Sequence, residues 1–283
     1  MVDRGAGGRP ALGILAGGGP LPGRVAAAAS AGGRAVFVVG LEGFAEKQVL
    51  APYPHGFARI GAAGRILELL RAHACRDVVM IGPVRRPGLL DLRPDVVGMK
   101  LMGRVGRSVF GGGDDTLLAA VVKVLGEEGF RVVGAHEILT EALAPLGVLS
   151  RMAPDAQAMA DIRRGVAVAR ALGGVDVGQG CVVQQGLVLA VEAIEGTDAM
   201  LARAATLGRS GLGGVLVKVS KPGQERRADL PTIGATTIAH ATAAGLRGVA
   251  FESGGTLLAD APETIDAANR AGLFLIGIDP ATV

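Results

Sequence analysis

The chain has no tryptophan, one tyrosine, two cysteines and four histidines in 283 residues. With aromatics at 3% there are too few rings for base-stacking platforms. A formal charge of only +3 adds no strongly basic face, so nucleic acid is not expected as a partner. Cys75 and Cys181 stand far apart and in no metal-ligand spacing, which argues against a disulfide framework and a zinc ribbon and favours a reducing cytoplasm. His55, His73, His136 and His240 share no ligand-like spacing, so a histidine-held metal or a catalytic triad is poorly supported. No apolar run approaches the roughly 18 residues that cross a bilayer. Met1 to Pro10, followed by Leu12 to Ala16, lacks the basic and then long apolar order of an export signal, and none is expected.

What is present is a globular composition, 49% hydrophobic and 19% charged. At roughly 150 residues per domain the length suggests about two domains, each able to bury a core. Of the 29 basic residues 24 are Arg, whose planar fork suits phosphate and carboxylate; weak attraction to anionic lipid or a phosphorylated ligand is left open. Strand Leu12 to Ala16, a glycine turn, an Ala-rich helix from Leu21 to Ala31 and strand Ala35 to Val39 read as a βαβ unit. Further on, helices are expected at 62–73, 96–105, 116–128 and 137–143, with strands at 78–81 and 131–133. The later half alternates in the same way: helices at 161–172, 198–205, 236–244 and 263–271, and strands at 182–183, 187–192, 215–219, 249–252 and 274–278. The expected fold is therefore two-lobed α/β: a Rossmann-like parallel-sheet domain over 1–147, a linker over 148–160, and a second α/β domain over 161–283 that carries the catalysis.

Gly17, Gly18 and Gly19, with Leu21 opening the helix, sit where backbone amides and a helix N-terminus favour an anion. The dinucleotide fingerprint fails, because its last glycine falls on Pro22, and Pro20 and Pro22 lack amide donors. A tight structural turn is the competing reading. Glu42 lies where an acidic residue meets a ribose hydroxyl, or is a solvated loop carboxylate. Gly82 and Pro83 close a strand at the same sheet edge, with Arg85 and Arg86 facing phosphate or solvent. Gly113-Asp114-Asp115 opens a helix either as cap or as cation ligand.

The densest constellation runs from Lys218 to Pro231. Lys218, Lys221, Gln224, Glu225, Arg226, Arg227 and Asp229 share one proline-stiffened turn, placing cations for phosphate beside carboxylates for a metal or water. Glu192, Glu195, Gly196, Thr197, Asp198 and Glu252 lie at strand ends that can converge on the same crevice; as the plainer alternative, Asp198 caps its helix.

Several of these segments together resemble one family. They are Leu12 to Pro22, Gly113-Asp114-Asp115, Asp176-Val177-Gly178-Gln179, Ala190 to Asp198, and Lys221-Pro222-Gly223-Gln224 with Asp229-Leu230-Pro231. The chain resembles, over nearly its whole length, the UDP-2,3-diacylglucosamine diphosphatases of lipid A synthesis, in the type without the calcineurin-like metal motif. The resemblance implies Mg²⁺-dependent hydrolysis of the substrate's pyrophosphate, water entering at the α-phosphorus, to give UMP and 2,3-diacylglucosamine 1-phosphate. It also implies substrate held between two lobes and an essential acidic residue in the later loop. Glu225 and Ala228 stand where the family's loop carries Asp and Phe, and the essential carboxylate is Asp229 or Glu225. On this reading Asp229, Glu225, Lys218 and Lys221 carry the catalysis, and Asp229, Glu225, Glu195 and Asp198 hold the metal. Gly17, Gly18, Gly19, Leu21, Gly82, Pro83, Gln224, Arg226, Arg227, Gly196 and Thr197 bind the lipid-nucleotide. An apolar cleft for two acyl chains, transient contact with the cytoplasmic face of the inner membrane, and a homodimer as an option complete the expectation. The competing readings are a nucleotide-cofactor oxidoreductase on the same βαβ opening and a non-catalytic nucleotide or lipid carrier.

Overall fold

The computed structural model describes residues 9–85, 92–105 and 113–283. Arg86, Gly111 and Gly112 lie outside them. The chain divides into two compact units, Met1–Leu139 with Glu225–Asp229, and Thr140–Gln224 with Leu230–Val283. The first division therefore falls at Leu139/Thr140, and part of the segment expected as a linker opens a long helix at Ala156.

In the first unit β1 (Ala11–Ala16), β2 (Val36–Leu41), β3 (His55–Ala58), β4 (Cys75–Ile81) and β5 (Arg131–Val132) form one sheet in the order β3-β2-β1-β4-β5. Every neighbouring pair is parallel, which is the Rossmann half order. Helices α1 (Leu21–Ala31), α2 (Lys47–Leu50), α3 (Ala63–Ala72), α4 (Val96–Val105) and α5 (Asp114–Glu127) supply crossovers and cover. Strands buried on both faces are near-continuous apolar runs, as Leu12-Gly13-Ile14-Leu15-Ala16 is. Helix α3 is the amphipathic case, with Ile66, Leu67, Leu69 and Leu70 buried against Phe37, Val39 and Val78. The helix expected at 137–143 is instead two short 3₁₀ turns, Ala135–Glu137 and Thr140–Ala142. Glu137 Oε1 turns back to accept from Gly134 N at 2.7 Å, closing the first turn on itself.

The second unit holds a six-stranded mixed sheet and a two-stranded one. Its strands are β6 (Gly147–Val148), β7 (Gly180–Gln184), β8 (Leu187–Val191), β9 (Val215–Lys218), β10 (Thr232–Ile233), β11 (Gly248–Glu252), β12 (Leu257–Leu258) and β13 (Phe274–Ile278). The large sheet runs β6-β13-β11-β9-β7-β8, and β10 pairs with β12. Strands β9, β11 and β13 are mutually parallel, whereas the hairpin β7–β8 adds to β9 antiparallel.

Helix α6 (Ala156–Gly174) packs Ala158, Ile162, Val166 and Ala169 against Cys181, Val183, Val215 and Val217 on one face. Helices α7 (Gly196–Ala204), α8 (Ala235–Ala243) and α9 (Ala261–Ala271) pack Met200, Leu201, Ile238, Ala241 and Ala268 against Val182, Leu216, Val249 and Leu275 on the other. The alternation of strand residues between the two clusters is the period of two that a sheet covered on both sides requires. Gly165 lets α6 close on β9, since a Cβ there would stand 2.5 Å from Val217 Cγ2. Burial in this layer pushes the Cys181 thiol up to about 12, and the Cys75 thiol of β4 goes to about 11 for the same reason, so both are inert core groups.

One buried charge pins the base of the first sheet. Asp77 of β4 is 2% exposed, accepts from Arg131 Nε at 2.8 Å and Nη2 at 2.6 Å, and is also paired with Arg34. The Arg131 hydrogen bonds, with Arg34 adding to them against the opposing effect of burial, hold its carboxyl below the ordinary range. Asp77→Asn is expected to cost about 3 kcal/mol of stability at neutral pH, because it leaves buried guanidinium without its counter-charge. A depressed folded pKa makes that contribution complete above the unfolded value of about 4 and removes it as pH falls through the folded one. Urea unfolding of both proteins between about pH 7 and about pH 3 should show the gap between them closing in acid.

Candidate active site

The polar groups of the second unit gather at one edge of its large sheet. Parallel β9 and β11 end there with Lys218 and Glu252; β8 ends there before Glu192, and β7, running the other way, begins there after Asp176 and Gln179. The carboxyl ends of parallel strands are where α/β folds place their chemistry, because loops and helix N-termini converge there.

Lys218 is 7% exposed and Glu192 6% exposed, so neither charge reaches water freely. Lys218 Nζ lies 2.6 Å from Thr197 Oγ1, Thr197 Oγ1 lies 2.5 Å from Glu192 Oε1, and the Lys218–Glu192 pair is 3.7 Å apart. Gly178 and Gly180 make room for this carboxylate. A Cβ at Gly178 would stand 2.0 Å from the Glu192 backbone oxygen, and one at Gly180 2.9 Å from Glu192 Oε2. Beside them Lys221 Nζ pairs with Asp176 Oδ1 at 2.6 Å, and Gln224 Oε1 accepts from Lys221 N at 2.9 Å. Glu252 Oε2 accepts from Ser220 N at 2.8 Å, and Ser220 Oγ donates to Gly255 O at 3.1 Å. The turn from β9 is thus fixed by its neighbours at three successive points, Lys218, Ser220 and Lys221.

In the first unit the loops after β1 and β4 meet at the point where the strand order reverses. Gly17 N donates to Ile81 O and Gly18 N to Pro83 O, both at 2.9 Å, and Gly19 N donates to Glu46 Oε1 at 3.2 Å. A Cβ on Gly17 would lie 2.4 Å from Gly82 O, and Gly82 itself has φ +96°. Gly17 and Gly82 thus serve close backbone contact, and in this structure the three amides expected to meet a phosphate face two carbonyl oxygens and one side-chain carboxylate.

The segment Glu225–Asp229 belongs to this first unit, where Glu225 N donates to Asp115 Oδ1 at 2.9 Å and Ala228 packs on the core. Both Glu225 oxygens are held by the next-but-one residue: Oε1 accepts from Arg227 Nε at 2.7 Å and Oε2 from Arg227 Nη2 at 2.6 Å. That guanidinium keeps the Glu225 carboxyl below its usual range. Asp115 is thus neither helix cap nor isolated carboxylate; the cap position is Gly113, and Asp115 anchors the segment.

Residues 11–142 match the model of the LpxI N-terminal domain and residues 145–276 that of the LpxI C-terminal domain. The chain is also 45% identical over 275 residues, 95% of its length and 98% of the relative's, to a Caulobacter vibrioides protein, "UDP-2,3-diacylglucosamine pyrophosphatase LpxI". The chain belongs to the LpxI family.

In this chain Lys218, Lys221, Gln224, Gly196 and Thr197 lie in the second unit, with Thr197 and both lysines in the polar edge. Asp229, Glu225, Arg226, Arg227, Gly17, Gly18, Gly19, Leu21, Gly82 and Pro83 lie in the first. Glu195 and Asp198 do not turn into that edge as a ligand pair. Glu195 Oε1 takes Arg203 Nη2 at 2.6 Å, and its own backbone amide together with Arg203 holds its carboxyl below the ordinary range. Asp198 is exposed and meets His240 Nδ1 at 2.9 Å. Among the described residues no three His, Cys, Asp or Glu side chains gather as a metal would need. Of the residues named for Mg²⁺, Glu225 and Asp229 belong to the first unit and Glu195 and Asp198 to the second.

In the second unit an open groove of about 500 Å³ lies between α8 and α9. It is lined by Ala239, Ala243, Ala267, Arg270 and Ala271 among others, and none of its lining residues belongs to the polar edge. Asp176 and Ser220 had no role assigned from sequence. The signal for Asp176 is conformational, a non-glycine residue at φ +54° just ahead of Gly178 and Gly180.

A methyl group on Gly17 must push backbone apart, so Gly17→Ala is expected to cost about 2 to 3 kcal/mol. Gly174→Ala, at the end of α6 with open space around it, serves as the control and should be neutral or slightly stabilising. Thermal unfolding of the two variants checks the ranking.

Proposed function

We propose that this chain hydrolyses the pyrophosphate of UDP-2,3-diacylglucosamine, the oxygen of water ending on the α-phosphorus, to give UMP and 2,3-diacylglucosamine 1-phosphate. The observation that carries the reading is 45% identity, over nearly the whole of both chains, to a protein named for that pyrophosphatase activity. The buried lysines suit the chemistry. A pyrophosphate concentrates negative charge, and cleavage is favoured by fixed cations around the attacked and departing groups. Lys221 commits one of its three N–H donors to Asp176 and carries two more for phosphate oxygens.

Of the two loop carboxylates, Asp229 is the essential one in this reading. Glu225 holds Arg227 with both oxygens and acts by fixing that guanidinium, a planar donor suited to phosphate. Dependence on Mg²⁺ is part of this reading. Two acyl chains gain about 0.8 kcal/mol per methylene transferred from water. Peripheral attachment to the inner membrane follows from that ligand, since no helix among the described residues is long and apolar enough to span.

Purified protein incubated with UDP-2,3-diacylglucosamine and Mg²⁺ is expected to release UMP, to stop when the metal is chelated and to resume when Mg²⁺ is returned. In heavy-oxygen water the label should appear in UMP; label in the lipid phosphate would contradict attack at the α-phosphorus. Asp229→Ala should lower kcat by roughly 100-fold or more, and Glu225→Gln by roughly 10-fold. Near-normal turnover by both variants would remove the loop from the mechanism. Ligand retention with no UMP would point to a carrier.

A further inference from the structure

Helix α6 ends in a geometry that usually calls for glycine. Asp176 N donates to Gly173 O and Val177 N to Leu172 O, both at 3.0 Å, the pair of bonds that closes a helix end over one residue in the left-handed conformation. That residue is Asp176, at φ +54°. Glycine adopts this conformation without penalty, whereas an L side chain is strained in it. The charge is unfavourably placed as well, since a carboxylate beside the last turn meets the negative end of the helix dipole. Glycine would remove both penalties, and the chain has glycine at 173 and 174 but aspartate here.

What the aspartate gains is Lys221. Asp176 Oδ1 lies 2.6 Å from Lys221 Nζ, in a pair whose side chains are 22% and 10% exposed. The lysine main chain is held independently of this contact. Gln224 Oε1 accepts from Lys221 N at 2.9 Å, and Gln224 N donates to Lys221 O at 3.1 Å. Helix α6 also closes on the same residue at Gly173, where a Cβ would stand 3.1 Å from Lys221 Cα. What the carboxylate adds to Lys221 is therefore a hold on the far end of its side chain. A flexible four-carbon stem separates that ammonium from its backbone, and an untethered one samples many rotamers. One N–H fixed on Asp176 sets the direction of the other two.

Resting on the hydrolase reading above, we infer that Asp176 is a positioning residue for that reaction. It acts through Lys221, aiming the remaining donors of the ammonium at phosphate oxygens of the substrate, and it occupies a helix end better suited to glycine for that purpose. Asp176 touches no reacting atom, and no bond forms or breaks at it. A fixed charge is most effective on a phosphoryl transition state when its direction is set beforehand, so the loss of Asp176 falls on kcat.

A double-mutant cycle read by turnover and by melting tests this. Asp176→Gly should lower kcat by roughly 30-fold. The same change made in Lys221→Met should lower it by less than about twofold, because the group it acts on is gone. Asp176→Asn, which tolerates the left-handed backbone and keeps an oxygen for the ammonium, should hold kcat within about fivefold of wild type. In melting the sign should reverse. Asp176→Gly lowers Tm in the wild type, where it strands a shielded ammonium, and raises it by a few degrees in Lys221→Met, where strain and the dipole clash go and this pair is already absent. Near-normal kcat in Asp176→Gly, an equal loss in both backgrounds, Asp176→Asn as slow as Asp176→Gly, or a melting effect of one sign in both backgrounds overturns the inference. The melting comparison decides if Lys221→Met turns over too slowly to measure. A wild type that makes no UMP under any metal condition is a distinct result, and it ends the hydrolase reading itself.

Discussion

Lys218 ends a strand whose four residues are all buried, and its ammonium is largely shielded from bulk water. Such a charge is tolerable only if the fold brings it a counter-charge and hydrogen-bond acceptors, and much of the local design of the second unit answers that demand. Glu192 arrives at the end of β8, Thr197 at the head of α7, and Gly178 and Gly180 clear the approach. The same logic repeats a turn later, where Lys221 is met by Asp176. Interlocked pairs of this kind leave few rearrangements open, so the groups keep fixed positions before any ligand arrives, which is the condition under which charge is most effective on a developing transition state.

The first unit is governed by steric rather than electrostatic necessity. Two loops at the reversal of strand order run backbone against backbone, and only residues without a Cβ fit at Gly17 and Gly82. A glycine-rich turn after the first strand of a Rossmann sheet is usually read as a phosphate cradle. Here its amides face Ile81, Pro83 and Glu46; close contact accounts for Gly17, and a left-handed φ of +73° for Gly19. The same three letters in a sequence can thus mark a binding loop or a seam, and only the hydrogen-bond partners of the amides tell them apart.

That ambiguity describes how far the chain was legible beforehand. Periodicity located β1, α1, α4 and β13 closely, because buried strands and Ala-rich helices have strong local patterns. The short strands β3, β10 and β12 went unseen, since two to four residues hold no period of their own and exist by pairing with neighbours. Lys218 and Lys221 were picked out because lysine is rare in this chain. The carboxylates that complete them could not be assigned in the same way. Glu192 is 26 positions from Lys218 and Asp176 is 45 from Lys221, and such pairings are properties of sheet order rather than of spacing. Glu195 and Asp198 looked equivalent to Glu192 in the sequence. A few residues along a turn and helix were enough to hand them to Arg203 and His240 instead.

Glu225–Asp229 is counted with the first unit although the residues on either side of it are counted with the second. A chain leaving the ribosome presents Met1–Leu139 long before it presents those five residues, and all of Thr140–Gln224 must be synthesised in between. The first unit therefore acquires its last piece only when most of the second has already emerged. Severing the polypeptide at the obvious boundary after Leu139 would yield two fragments, one lacking a component and the other carrying it unhoused.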